Sequence, residues 1–448
     1  MFTNGYIASG VLALVFFLII GRSRLNNIPI WTSMLIGAGL LVGLQVISIE
    51  QAFKAINLEV IIFLFGMFSI FSALDRSGVL RYVATKMLSK AKNDVNSILL
   101  VFIIGLGILS AFLVNDTIAL LGIPLVIHVS RQIGIRPTVL FIALAFGVSI
   151  GSAITPIGNP QNLLIAIQSG ISLPFLTFMK WLIMPSILNL FLTYFILKVY
   201  FKKELLKVPN HVNFSGKIMA MKDNNELSLS TNAITNPYLA KISVIILLFT
   251  VAGFIVSEIL QYIFHVTFFN ISVIAALGAI TLYALSNERR ELLYNIDYSV
   301  LVFFAAMFVF TAALWTSGLI PDIMSKISNP SPGHNNTISN NAVISIVSVA
   351  FSQILSNVPF VALYNNVMID NGFNADDVSE WMMLAAASTI AGNLTIFGAA
   401  SNVIIIEAAE SRSVKAFSYS EFLKIGSIVT VTNLLVYYLF ITFIFGRI

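Results

Sequence analysis

One polar motif occurs twice in apolar stretches of this chain, once in each half. The motif is Thr-x-x-Gly-x-x-x-Asn, formed by Thr155, Gly158 and Asn162 in TPIGNPQN and by Thr395, Gly398 and Asn402 in TIFGAASN. About forty residues before each copy lies another polar interruption, Asn115-Asp116-Thr117 in the first half and Ser356-Asn357 in the second. Interrupted helices are tolerated inside a membrane only where protein or a cavity surrounds them. The four interruptions therefore predict broken helices around one central site.

Composition predicts an all-α polytopic membrane protein. Of the 448 residues, 58% are hydrophobic and 10% are charged, whereas soluble domains carry about 25% charged residues. The absence of cysteine excludes disulfides and thiolate-bound metals, and the four histidines lack a known ligand spacing. We expect no cofactor, apart from Na+ as a coupling ion. The net charge of +5 fits an anionic lipid bilayer as partner and requires no nucleic acid.

Apolar segments predict about ten transmembrane helices and two re-entrant helical hairpins. The ten segments lie at 6–20, 28–49, 58–74, 138–166, 181–200, 240–258, 270–286, 298–316, 382–408 and 425–446. Two of them, 138–166 and 382–408, contain the motif and are predicted to be broken helices. The hairpins are predicted at about 96–131 and 341–370, because the polar interruption leaves arms that cannot supply two full spans.

Positive charges predict the orientation in the membrane. With the N-terminus outside, the predicted cytoplasmic segments hold 21 of the 25 Lys and Arg residues, and the outside holds the other 4. This bias predicts a multi-pass protein of the cell membrane with both termini outside. The polar segment 202–237 is then a cytoplasmic connector.

The two halves are similar to each other in sequence. At an offset of 240 residues, the segment that begins at Val60 matches the segment that begins at Val300, and the two motif copies superpose. Each half holds five predicted crossings, so the second half would be inserted upside down. We therefore predict an inverted repeat, with the first copy at 1–201, the connector at 202–237 and the second copy at 238–448.

The interruptions offer groups that suit ions. Unwound carbonyls and amide oxygens suit Na+, and the candidate ligands are Asn115, Asn162, Asn357 and Asn402. Free helix N-termini suit an anion. The candidate substrate-binding residues are Asn115, Asp116, Thr117, Thr155, Gly158, Ser356, Asn357, Thr395 and Gly398.

Asp116 is the one acid in either predicted hairpin tip. An intramembrane carboxylate is costly and is a functional candidate for that reason. Asp116 could carry a coupling proton, bind a cation or select a substrate, or it could cap the following helix. No Lys or Arg is predicted at mid-membrane. An anion would therefore need helix N-termini, hydroxyls, amides and co-bound Na+, and a neutral or weakly ionised substrate would fit as well.

The same segments resemble the ion transporter superfamily that includes arsenite-efflux permeases, citrate and dicarboxylate/sodium symporters, sodium/proton antiporters and the pink-eyed-dilution protein. The most specific segments are NDTIALLGIPLVIH, TPIGNPQNLLIA, SNVPFVAL and GNLTIFGAASNVIIIEAAE. The resemblance implies a scaffold domain that forms a homodimer and a transport domain that moves like an elevator. Asn115 and Asn357 match the central Asn of the dicarboxylate branch's Ser-Asn-Thr signatures. The flanking hydroxyls are partly missing here, which favours the arsenite-permease-like branch.

Together these features predict a secondary active transporter of a small anion, coupled to Na+ or H+. An arsenite-type oxyanion is the first expectation for the substrate and a carboxylate is the second. The alternative is a Na+/H+ antiporter in which Asp116 exchanges the two ions. An intramembrane enzyme is a remote alternative, because the sequence offers no nucleophile–base pair or paired acids, and no catalytic residue is predicted.

Overall fold

The protein is helical in a computed structural model that describes residues 2–20, 28–89, 91, 94–206, 234–264, 270–320, 322, 330–333 and 336–445. Within these ranges there is no β-strand, so the prediction of an all-α protein is confirmed. The helices that are long and apolar enough to cross a membrane are Leu58–Arg76, Pro174–Tyr200, Pro237–Phe264, Tyr298–Thr316, Thr337–Leu355 and Tyr419–Phe445. The number of crossings, the repeat and the orientation stay predictions.

Most helices of the first half fall where the apolar segments predict them, but one helix is shorter than predicted and short helices are added at 49–55, 79–89 and 202–205. The segment predicted at 28–49 ends its helix at Gly43, and an unpredicted amphipathic helix covers 79–89. The helices are α1 (Phe2–Ile20), α2 (Ile30–Gly43), α3 (Ile49–Ala55), α4 (Leu58–Arg76), α5 (Val79–Ser89), α6 (Val95–Ser110), α7 (Asn115–Ile133), α8 (Pro137–Ser152), α9 (Pro160–Gln168), α10 (Pro174–Tyr200) and α11 (Lys202–Leu205).

The second half begins after the connector, of which 207–233 lies outside the described residues. Its helices are α12 (Pro237–Phe264), α13 (Ile271–Leu285), α14 (Arg289–Tyr294), α15 (Tyr298–Thr316), α16 (Thr337–Leu355), α17 (Asn357–Asp370), α18 (Val378–Ala391), α19 (Ala400–Glu410) and α20 (Tyr419–Phe445).

Proline, asparagine and glycine shape the first motif copy, where α8 ends and α9 begins. Asn159 is the N-cap of α9, and its side-chain oxygen accepts the N–H of Asn162 at 2.8 Å. Pro160 follows at the first helical position, where its missing N–H costs nothing. A Cβ on Gly158 would overlap the backbone of Ser152. The chain can therefore fold back against the end of α8 only with glycine here.

The other interruptions are short. Residues 111–114 join α6 to α7, and Ser356 alone joins α16 to α17 with a φ of 66°. In the second motif copy, α18 ends at Ala391 and α19 begins at Ala400, with a single 3₁₀ turn between them. The helix pairs α6–α7 and α16–α17 occupy the segments predicted as re-entrant hairpins, and their re-entrant course stays a prediction.

The two halves interlock. Helix α2 packs on α15, and α13 packs on α4. Each motif copy is followed by a short half-helix, α9 in the first half and α19 in the second. Each predicted hairpin tip is followed by a tip helix, α7 or α17. Half-helix α9 packs on α17 of the other half, while α19 packs on α7. Each half-helix therefore meets the tip helix of the opposite half, which brings the four interruptions to one region.

Ion pairs fasten helix ends from the two halves. Arg76 at the end of α4 pairs with Glu288 and Glu291, and Arg136 before α8 pairs with both Glu204 and Glu421 at 2.7 Å. The hydrogen bond from Arg76 lowers the pKa of the Glu288 carboxyl. These pairs are partly exposed, so each adds little to stability but fixes which helix ends meet.

Glu258 caps the long helix α10 from a neighbouring helix. The N-cap residue of α10 is Leu173, which has no side-chain acceptor. Instead, the carboxylate of Glu258 on α12 accepts the N–H groups of Phe175 at 2.7 Å and Leu176 at 3.0 Å. Glu258 is buried, with 4% of its surface exposed. The two N–H groups would lose their only described partner if this carboxylate were removed.

We therefore expect Glu258→Leu to destabilise the protein by about 1–3 kcal/mol, the cost of leaving buried donors unpaired. The measurement is the unfolding midpoint in detergent. The double variant Leu173→Ser with Glu258→Leu should recover part of the loss, because Ser can cap the helix itself. An unchanged midpoint in Glu258→Leu would contradict the capping role.

Candidate functional site

A cavity of about 470 Å³ lies where the interruptions of the two halves meet. Among the described residues its polar lining comes from both tips, both half-helices and the start of α15. These polar residues are Asn115, Asp116, Gln161, Asp297, Ser299, Asn357, Ser401, Glu407 and Ser411. Apolar walls come mainly from Trp31, Val300, Phe303, Phe304, Val358 and Val403. The size suits a small solute.

Some of the sequence-predicted site residues line the cavity, and the others lie outside its described lining. Asn115, Asp116 and Asn357 line it. The remaining candidates are outside the described lining; they are Thr117, Thr155, Gly158, Asn162, Ser356, Thr395, Gly398 and Asn402.

The first interruption is closed by hydrogen bonds. The Nδ2 group of Asn162 donates to the carbonyls of Ser152, Ala153 and Thr155 at 3.1–3.3 Å. Its Oδ1 accepts from the hydroxyl of Thr389 on α18 at 3.4 Å. The oxygen proposed from sequence as a Na+ ligand thus already has a protein donor.

The first tip is fastened to this interruption. The hydroxyl of Thr155 donates to the carbonyl of Ala111, and the N–H of Asn115 donates to the carbonyl of Gly158 at 2.9 Å. The side chain of Asn115 in turn accepts the N–H of Asp116 at 2.9 Å. Asp116 therefore stands on the same rigid unit as the Thr-x-x-Gly motif.

The second interruption is built in the same way but is less completely bonded. Asn402 donates to the carbonyls of Gly392 at 2.7 Å and Thr395 at 3.4 Å. Thr395 donates to the side chain of Gln353 on α16 at 2.8 Å. The Oδ1 of Asn402 and both polar atoms of Asn393 are buried without a hydrogen-bond partner among the described residues. The Oδ1 atoms of Asn393 and Asn402 are therefore available to a cation.

Acidic side chains dominate the charge of the cavity. Asp116, Asp297 and Glu407 line it, and none of its described lining residues is Lys or Arg. Asp297 caps α15 by accepting the N–H of Ser299 at 3.1 Å. The N-cap of α7 is Val114, and the carboxylate of Asp116 accepts no hydrogen bond from a described residue. Asp116 is thus no cap of its own helix, which leaves its carboxylate for chemistry in the cavity.

The predicted site residues leave out six polar residues of the lining, which are Gln161, Asp297, Ser299, Ser401, Glu407 and Ser411. Two of these, Gln161 and Ser401, occupy corresponding positions in the two motif copies. Each stands one position before the asparagine of a motif copy, and the two are 240 residues apart. The signal that could have identified them is this shared position in the first turn of a half-helix.

Comparison with known proteins agrees with this architecture. Residues 14–375 match the family model described as citrate transporter, CitMHS. A 46 kDa membrane protein of Mycobacterium leprae is 28% identical, with 94% of each chain covered. The silicon efflux transporter LSI3 of rice, Oryza sativa, is 25% identical, with 86% of each chain covered.

A solved structure has the same fold. The YdaH transporter of Alcanivorax borkumensis superposes with a TM-score of 0.52 at 12% identity, covering 96% of this chain and 98% of that one. Together with the family match, this confirms the resemblance indicated by the motifs. The chain is a membrane transporter that belongs to the citrate transporter family.

Proposed function

We propose that this protein is a secondary active transporter of a small weak oxyacid of the arsenite type, taken up by the cavity in its uncharged form. The observation that carries the proposal is a cavity wall with three carboxylates, Asp116, Asp297 and Glu407, and no Lys or Arg among its described residues. Like charges repel more strongly as the surroundings become less polar. A citrate-like anion would thus be disfavoured, whereas a neutral hydroxylated acid can hydrogen-bond to Asn115 and Asn357.

Asp116 is the proposed proton carrier. It lies in the cavity at a helix tip fastened to the first interruption, and its carboxylate has no hydrogen-bond donor among the described residues. A carboxyl group in that setting can bind and release a proton as the cavity changes its access. The name of the rice relative, a silicon efflux transporter, is compatible with a small oxyacid as cargo.

The proposed movement is elevator-like, within a homodimer in the cell membrane. The reciprocal packing of α2 on α15 and of α13 on α4 supports two inverted repeats that form the scaffold. The packing of each half-helix on the opposite tip supports a second, moving unit around the cavity.

A second candidate function is Na+/H+ antiport. The observation that favours it is the pair of buried oxygens on Asn393 and Asn402 that no described donor reaches. Amide oxygens of this kind suit a hard cation such as Na+. Asp116 would then exchange a proton for the cation, and no oxyacid would be carried.

The test is the melting temperature of the purified protein with arsenite, citrate, succinate or sulfate, each in Na+ and in choline. A ligand that binds the native state adds about 2.7 kcal/mol to the free energy of unfolding at a hundredfold excess over Kd, and this raises the melting temperature. We expect a shift with arsenite and none with the carboxylates. A shift by Na+ alone would favour antiport, and a shift by citrate would contradict the proposed substrate.

The two motif asparagines should differ in their effect on Na+ binding. Asn402→Ala removes an oxygen without a described donor, whereas Asn162→Ala removes one already bonded to Thr389. We expect the Na+-dependent shift in melting temperature to fall in Asn402→Ala and to persist in Asn162→Ala. Persistence of the full shift in Asn402→Ala would exclude a cation site at the second interruption.

A further inference from the structure

We propose that the side-chain oxygen of Gln161 accepts a hydrogen bond from a hydroxyl of the substrate and thereby selects the protonated oxyacid. The inference rests on the proposed function and deepens it. Gln161 is the second residue of the half-helix α9, lines the cavity and is 1% exposed. Its Oε1 has no hydrogen-bond partner among the described residues.

The orientation of this amide follows from a chain of hydrogen bonds that begins at Asn162. Three backbone carbonyls face one end of the Asn162 side chain. A carbonyl can only accept, so the Nδ2 group must be at that end and Oδ1 at the other. The hydroxyl of Thr389 lies 3.4 Å from this Oδ1 and gives it its single proton.

Because the hydroxyl of Thr389 has donated its one proton, it can only accept further hydrogen bonds. Two amide groups approach its hydroxyl oxygen, Asn159 at 3.2 Å and Gln161 at 3.3 Å. Both must present their N–H₂ groups, because the hydroxyl proton is already used. The Nε2 of Gln161 is therefore committed to Thr389, and Oε1 is the atom left without a partner. The hydrogen-bond directions around Thr389 thus favour the orientation of Gln161 in which Nε2 faces Thr389 and Oε1 faces away from it.

A carbonyl oxygen in this position discriminates by protonation state. It can accept a hydrogen bond from an O–H group, but a deprotonated oxygen has no hydrogen to give and would face it lone pair to lone pair. Sites built to bond a hydroxyl reject analogues that lack it much more strongly than apolar pockets reject a size change. Gln161 therefore favours an oxyacid that presents a hydroxyl group to it over one that presents a deprotonated oxygen.

The equivalent residue in the second half does not duplicate this function. Ser401 stands 240 residues later, also in the first turn of its half-helix and in the lining. A serine hydroxyl can donate as well as accept, so Ser401 tolerates either protonation state. Of these two residues, only Gln161 on the first half-helix presents an oxygen that accepts but cannot donate a hydrogen bond.

The experiment measures arsenite uptake into proteoliposomes for wild type, Gln161→Met, Gln161→Asn and Gln168→Met. Methionine has a similar length to glutamine but no amide. Gln161→Asn keeps the amide and withdraws the oxygen, so it carries the test if the Met variant misfolds. Gln168 is on the same helix outside the described lining, and its oxygen is satisfied by Asn365 at 2.8 Å, which makes Gln168→Met the matched control.

We expect Gln161→Met to raise KM for arsenite about tenfold, the effect of about one hydrogen bond, with kcat within about twofold of wild type. Gln161→Asn should raise KM less, and Gln168→Met should leave it unchanged. Wild type should also prefer neutral over alkaline pH, where arsenous acid loses a proton, and this preference should weaken in Gln161→Met only.

The outcomes separate the two proposals. Wild-type kinetics in Gln161→Met and Gln161→Asn, with transport intact, would overturn the role of Gln161 and leave the proposed function standing. Wild type that transports no arsenite would overturn the proposed function, and the role of Gln161 with it. An equal KM increase in Gln168→Met would show a general effect on α9 and would overturn the assignment to Gln161.

Discussion

Asp116→Asn is expected to reduce proton-driven uptake to the level of liposomes without protein. The substitution keeps the shape of the side chain and its place beside Asn115, but asparagine cannot release a proton in the working pH range. Among the described lining residues, Asp116 is the one acid that belongs to a predicted hairpin tip, and that tip is bonded to the first interruption. The measurement is substrate accumulation driven by an imposed pH gradient.

Exchange of substrate across the membrane without net proton movement should survive in Asp116→Asn, because the binding amides remain. The control is Asp376→Asn, which changes an exposed acid outside the described lining and should transport as wild type does. If Asp116→Asn still accumulates substrate against its gradient, Asp116 is not the proton carrier. That result would also exclude the antiport candidate in its present form.

Gly158→Ala is expected to destabilise the protein and to impair transport, although it adds only a methyl group. The new Cβ would overlap backbone atoms of Ser152, and a backbone segment cannot rotate away as a side chain can. The carbonyl of Gly158 also binds the N–H of Asn115, so any shift separates the first interruption from its tip. We expect a loss of about 1–3 kcal/mol of stability from overpacking and a loss of most transport.

Unfolding midpoint and uptake are measured together with Gly39→Ala as the control. A Cβ on Gly39 meets no atom of the described residues within 4 Å, and Ala is the better helix former by about 1 kcal/mol. Gly39→Ala should therefore be neutral or stabilising. Wild-type stability and uptake in Gly158→Ala would show that the first interruption does not need its close backbone approach.

The positions of the helices could be predicted from the sequence because they depend on local chemistry. Apolar length and the motif residues Thr155, Gly158 and Asn162 locate the break between α8 and α9 within the segment predicted at 138–166. Likewise, the interruption near Asn115 could be located because polar residues stand out in an apolar stretch. The family could be recognised from the same segments, and the family match confirms it.

The internal arrangement of the site could not be predicted, because it depends on contacts between distant segments. Asn162 and Asn402 occupy the same place in their motif copies, yet only Asn162 has a hydroxyl donor for its oxygen, supplied by Thr389 from the other half. The orientation of the Gln161 amide could not be predicted either, because it depends on the same hydroxyl. Sequence spacing predicts that such residues are near a site, but three-dimensional contacts decide which atoms remain unbonded.

The most direct test of the account is arsenite flux in proteoliposomes with an imposed pH gradient, with and without a protonophore. Arsenite should accumulate above its equilibrium level while the gradient lasts, and this accumulation should be lost when the protonophore is added. Accumulation of citrate instead, or arsenite movement no faster than in protein-free liposomes, would contradict it.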